Sequence, residues 1–103
     1  MMDINYELYK VFYYVATTLS FSEASKQLFI SQSAVSQSIK ALEKKLDQTL
    51  FIRSTKRVQL TPEGEILLRH VEPAMHLIKR GESQLMDSAT TGGQIRIGAS
   101  DTI

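Results

Sequence analysis

Four short polar side chains fall together in this sequence, Gln32, Ser33, Ser36 and Gln37, and a second group of cations follows them at Lys40, Lys44, Arg53, Lys56 and Arg57. Amides and hydroxyls carry both donors and acceptors on short stems, which suits them to the edges of paired bases in a major groove, where glutamine can bond adenine N6 and N7 at once. Lysine and arginine on longer stems suit phosphate oxygens instead, and such contacts set affinity more than sequence choice. A bland reading stands beside this one. Gln32 and Gln37 could be plain surface amides, Lys26, Lys44 and Lys45 could be solvated, and Ser31 is first of all a helix cap.

Other chemistries have little support. His70 and His76 are six residues apart, which a helix puts on different faces, and no third metal ligand accompanies them. Cysteine is absent, which removes disulfides, thiolate zinc sites and cysteine nucleophiles together. No nucleophile with a paired base, acidic dyad or glycine-rich phosphate loop stands out, so an enzyme is not expected. The chain starts Met1-Met2-Asp3-Ile4-Asn5 without a basic, then apolar, leader, and no apolar run approaches a membrane span, so a cytoplasmic protein without membrane contact is expected.

Charge location says more than net charge. The 103 residues sum to only +1, yet between Lys26 and Arg57 seven cations face two acids, Glu43 and Asp47, so that block carries +5 and the remainder −4. A basic block inside a near-neutral chain is the footprint of a polyanion-binding face, although a solvated helix face looks similar.

The elements that must position these groups follow from periodicity. Leu8, Val11, Phe12, Val15 and Leu19 form the stripe of an amphipathic first helix over Tyr6 to Leu19. Its tyrosines, Tyr6, Tyr9, Tyr13 and Tyr14, are expected to pack rather than stack on bases. Ser20 with Glu23 forms a capping box, or Ser22 a simpler cap, for a short second helix burying Ala24 and Leu28. Ile30-Ser31 breaks it, and Ser31 caps a third helix from Gln32 to Leu46 whose Val35, Ile39, Leu42 and Leu46 face inward. That leaves Ser33, Gln37, Lys40 and Lys44 outward with Ser36 flanking them. Leu50–Arg53 and Arg57–Leu60 read as a β-hairpin around Ser54-Thr55-Lys56, and without Asn-Gly the connection is expected to be a longer, mobile loop.

Thr61-Pro62-Glu63-Gly64-Glu65 is a strong helix start: an N-cap, proline at the first helical position, and acids at the positive dipole end. From there Leu67, Val71, Ala74, Ile78, Gly81 and Leu85 step by four and three, a coiled-coil-like seam flanked by Ile66, Met75, Leu77 and Met86. A helix of roughly 28 residues spans about 42 Å, more than a three-helix core can cover, so a second copy is expected on Leu67, Val71, Ala74, Ile78 and Leu85. Pro73 and Gly81 interrupt the seam. After Gly92-Gly93, Gln94–Ala99 alternates like a strand with no sheet to join, as at the first element of a further domain.

These residues, in this order, resemble the LysR-type transcriptional regulators. The run Ser20–Leu28 followed by Ser31-Gln32-Ser33-Ala34-Val35-Ser36-Gln37-Ser38-Ile39-Lys40-Ala41-Leu42-Glu43 is similar to that family's helix-turn-helix, and Leu50-Phe51-Ile52-Arg53 with Leu60-Thr61-Pro62-Glu63-Gly64 to its wing and linker-helix start. The resemblance implies a mainly α fold: a winged helix-turn-helix over 1–61, three helices plus a β-hairpin wing; a long dimerisation linker helix over 62–89; and, at 90–103, a hinge and first strand of an effector-binding domain. It implies a regulator binding double-stranded DNA at an interrupted palindrome as a homodimer, with the third helix in the major groove and the wing on the backbone or minor groove. Gln32, Ser33, Ser36 and Gln37 then read bases, while Ser31, Lys40, Lys44, Arg53, Lys56 and Arg57 hold the backbone. It further implies tetramers at full length, contact with RNA polymerase, no cofactor in this segment, and a small-molecule effector bound by the C-terminal domain. Ser33 stands where the family often has proline, Gln37 where it often has arginine, and Asp47 where glycine commonly ends the recognition helix. Two rivals remain: another winged-helix regulator with different dimer elements, and a helical module whose basic face meets an acidic protein.

Overall fold

The computed structural model describes residues 4–54 and 57–91, with side chains as far as residue 87. The elements run α1 (Tyr6–Thr18), α2 (Phe21–Leu28), α3 (Gln32–Leu46), β1 (Phe51–Arg53), β2 (Val58–Leu60) and α4 (Pro62–Thr91). By packing, the chain divides into two units, residues 1–72 and 73–103.

In the first unit α1, α2 and α3 pack pairwise. Val11, Phe12, Val15, Ala24, Val35, Ile39, Leu42, Leu50 and Phe51 are buried and form its core. Each is apolar and recurs at helical or strand spacing, so burial removes apolar surface from water without stranding a polar group. Phe12 and Phe51 meet with ring centroids 5.5 Å apart. The start and end of α3 coincide with the expectation, and the four-helix, one-hairpin architecture is the expected winged helix-turn-helix.

Each of the first three helices ends on a residue with positive φ that is not glycine: Leu19 at 53°, Phe29 at 59° and Asp47 at 54°. A left-handed residue turns the chain off the helix axis and lets its N–H reach back to the helix's last carbonyls. Leu19 N–H donates to Val15 C=O at 2.7 Å. Leu19 was expected to extend the core stripe of α1; as the residue that turns the chain it is 46% exposed instead. At the N-terminus of α2, Ser20 is the cap, its Oγ accepting from Glu23 N–H at 3.0 Å. The return half of the expected capping box is replaced: Ser20 N–H donates to Thr18 Oγ1 at 3.3 Å, and Glu23 Oε2 accepts from Gln27.

The hairpin is antiparallel with Phe51 opposite Leu60, Ile52 opposite Gln59 and Arg53 opposite Val58. It closes more tightly than expected. Ser54 N–H donates to Arg57 C=O at 3.0 Å, and the Ser54 hydroxyl accepts from Arg57 N–H at 3.2 Å, so only residues 55 and 56 lie between the paired ends. The Ser54 hydroxyl thus adds a side-chain hydrogen bond to the backbone bond that joins the two ends of the hairpin. Lys56 and the strand expected at 94–99 lie outside the described residues.

Thr61 launches α4 as expected. Its Oγ1 accepts from Gly64 N–H at 2.9 Å and donates to Thr49 C=O at 2.6 Å, while its own N–H donates to Leu50 C=O at 3.0 Å. One buried threonine thereby fastens the helix start to the chain entering the wing. The first unit extends to Glu72, so the early turns of α4 belong to the same unit as the wing and the first three helices. In the second unit the helix continues through Pro73, which lacks an N–H to offer the Arg69 carbonyl.

Candidate nucleic-acid interface

Ser31 caps α3 through its Oγ, which accepts from Ala34 N–H at 3.0 Å. No acid sits in the first turn of this helix, whereas Lys44 and Lys45 occupy its last, so the positive end of the helix dipole is left uncancelled beside Gln32 and Ser33. Val35, Ile39 and Leu42 are buried on the inner face, and at about 100° per residue that turns Gln32, Ser33, Gln37, Lys40 and Lys44 outward, where all five are exposed. Leu46, expected inside, is only half-buried. Ser36 is half-buried as well.

The wing brings Arg53 and Arg57 close to residues of α3. Side chains alternate along a strand, so the buried Phe51 and Arg53 share one side of β1 and Ile52, 51% exposed, takes the other. Arg53 was expected as a phosphate contact. Its guanidinium carbon lies 3.9 Å from the centroid of the Phe21 ring, and its Nη2 donates to Ser36 Oγ at 2.9 Å, so the side chain joins α2, α3 and the wing. Gln32, Ser54 and Arg57 line one shallow cleft together with Ser20, Phe21 and Ser22 at the start of α2. The structure thus unites one expected base reader and one expected backbone contact in a single cleft with hydroxyls and a helix N-terminus. Lys40 and Lys44 lie outside that cleft, further along α3.

Two residues of this region were not singled out from sequence. Glu43, counted there only as an acid in a basic block, accepts from Leu50 N–H at 2.8 Å and Phe51 N–H at 3.3 Å through Oε2. A carboxylate bonded to two backbone donors is a charge-assisted tie between α3 and the wing. Phe21 is the platform beneath Arg53. Strand alternation from Phe51 to Arg53 was the available signal for its neighbourhood, but nothing local specified its partner.

On α4 the expected seam divides. Val71 is only 8% exposed in the single chain and belongs to its own core, so it has little area to give a partner. Leu67 is half-buried and Ala74 exposed. Ile78 and Leu85 remain 43% and 74% exposed, alongside Leu77 and Met86. Leu46, Leu50, Ile66, Leu67 and His70 line a shallow, mainly apolar groove in the first unit. Among the described residues no helix is long and apolar enough to cross a membrane, and no three His, Cys, Asp or Glu side chains gather as a metal site would need.

Comparison with known proteins agrees with this geometry. An HTH-type transcriptional regulator of Methanocaldococcus jannaschii is 40% identical over 104 residues, covering 98% of this chain and 34% of that protein. The regulator GltR of Bacillus subtilis is 34% identical over 99 residues, covering 96% of this chain and 33% of its own length. The chain therefore spans about a third of the curated relatives it matches. Among solved structures, the BenM DNA-binding domain in complex with catB site 1 DNA superposes with a TM-score of 0.75 at 25% identity, over 88% of this chain and all of that one. The family model for bacterial regulatory helix-turn-helix proteins of the lysR family matches residues 6–65. The chain belongs to the lysR family of helix-turn-helix regulators.

Proposed function

We propose that this chain is the sequence-specific DNA-binding part of a transcription regulator, with α3 set in the major groove and the wing on the backbone or minor groove. The observation that carries the reading is the outer face of α3. Short amides and hydroxyls occupy its first turns, lysines its later ones, and the opposite side is anchored in the core. Gln32, Ser33, Ser36 and Gln37 read bases in this account, and Ser31, Lys40, Lys44, Lys56 and Arg57 hold phosphates. Similarity to a domain solved on DNA supports it.

Two copies acting together follow from the apolar side chains left exposed on α4, chiefly Ile78 and Leu85 with Leu77 and Met86. Their pairing as a homodimer through residues 62–89 presents two recognition helices to successive major grooves of an interrupted palindrome. The winged domain over 1–61 stands before that linker in this division. The relatives' greater length leaves room for an effector domain that binds a small molecule, assembles tetramers and meets RNA polymerase, in the cytoplasm and without catalysis by this segment.

Retardation of DNA by the purified chain, with competitor DNA and a salt titration, tests the reading. For the four cations placed on phosphates in each copy, about eight per dimer, log Kobs should fall against log salt with a slope near −7. A slope near zero, or equal binding of all sequences, removes it.

A further inference from the structure

A chain of directional contacts runs from the core of the first unit to the outer face of α3. Phe12 is fully buried and meets Phe51 at 5.5 Å between centroids. Phe51 meets Phe21 at 6.2 Å with the ring planes 70° apart. Arg53 lies 3.9 Å over Phe21 and donates from Nη2 to Ser36 Oγ at 2.9 Å. The guanidinium is planar, always charged and placed over a ring that itself meets the core ring Phe51, so fewer of its rotamers remain open. Arg53 is exposed to solvent, yet these two contacts direct its guanidinium toward Phe21 and Ser36.

The geometry points to Arg53 as a positioning residue for Ser36, making that hydroxyl a hydrogen-bond donor toward an acceptor on a base edge; this rests on the DNA-reading function proposed above. A serine hydroxyl has one hydrogen and two lone pairs. Arg53 occupies one lone pair, and its positive charge beside the other opposes any second incoming donor. What Ser36 has left to offer the groove is its hydrogen. Guanine presents N7 and O6 as acceptors there, adenine N7 and thymine O4, while cytosine presents only the N4 amino donor. The base facing Ser36 is therefore selected against cytosine, and the charge on Arg53 acts through the serine rather than on a phosphate.

The test starts by selecting the preferred sequence of the wild-type chain from a random DNA pool, then measures Kd for every single-base change and the salt slope. Failure of the wild type to select any sequence would remove the DNA-reading function itself and the inference with it. Given a preferred sequence, S36A and R53M should flatten the preference at the same base pair by about three- to tenfold, the size of one neutral to weakly assisted hydrogen bond. The double variant should flatten it no further, and R53M should leave the salt slope within about half a unit of wild type. Methionine keeps the apolar contact with Phe21 and removes every donor. Should R53M not fold, R53K with S36A and their double give the same cycle, R53K weakening the preference only while Ser36 is present. A uniform loss across sequences in the arginine variant, with a slope smaller by about 1 and effects additive with S36A, identifies Arg53 as a phosphate clamp and overturns the inference. An unaltered preference in S36A overturns it too.

Discussion

Replacing Gly64 by alanine should destabilise the chain, against the usual effect of that exchange inside a helix. Alanine is favoured over glycine in a helix interior by about 1 kcal/mol. At Gly64, however, a Cβ would overlap the Leu50 carbonyl oxygen and come within 2.8 Å of Leu60 Cδ2. Carbon atoms pack at about 3.5–4.0 Å, so the leucine must yield by at least about 0.7 Å. The carbonyl cannot yield freely, because it accepts from Thr61 N–H at 3.0 Å and Thr61 also bonds Thr49 and Gly64. Overpacking of this kind costs about 1–3 kcal/mol, and a weakened buried hydrogen bond adds about 1. Subtracting the propensity gain leaves a loss near 2 kcal/mol, or about 8–16 °C in Tm for a domain of this size. Gly81 provides the contrast, since nothing lies within 4 Å of its added Cβ. G81A should stabilise the chain by about 0.5–1 kcal/mol. Thermal and urea unfolding followed by far-ultraviolet circular dichroism at one protein concentration reads both. A G64A midpoint at or above wild type refutes the close approach of α4 to the Leu50 carbonyl.

Glu43→Ala should leave the Leu50 and Phe51 amides without their acceptor, costing about 1–3 kcal/mol, while E43Q, which keeps a carbonyl oxygen, recovers most of it; faster hydrogen exchange at those two amides is the measurement. Gln32→Ala should relax choice at one base pair per half-site, whereas Lys40→Ala should weaken all sequences alike and shorten the salt slope; identical behaviour of the two contradicts the division of roles. Leu85→Glu puts a charge on a side chain that is 74% exposed in one copy, so sedimentation should show a monomer with an unchanged fold, and a persisting dimer would move the interface elsewhere.

Legible in the sequence is whatever depends on near neighbours in the chain. Ser31 before an apolar period, and Thr61 before Pro62 and two acids, mark helix starts because capping is settled within four residues. The outward set on α3 follows from the inward one by geometry alone. Contacts between distant segments were harder. Val71 could not be assigned to its own core or to a partner by periodicity, which reports only that a position is apolar. Leu19 fits the α1 stripe as well as its neighbours do, but a left-handed end on a leucine leaves no local mark. Arg53 was read by its charge, and its placement against Phe21 and Ser36 depends on how the wing folds back. Ser54 shows the remaining gap: its hydroxyl meets Arg57 N–H only because the two strands pair, and the serine alone does not announce that.

The two amides that Glu43 holds belong to the residues entering the wing, and the carboxylate belongs to the helix proposed for the groove. The angle between these elements is thus decided when the chain folds, ahead of any encounter with a duplex. Ordering costs at that junction are already met, which favours tight association, but the protein forfeits the freedom to flex there. On the proposed mode, adaptation falls to the double helix, so stiff or unusually twisted operators should be penalised even at positions no side chain touches.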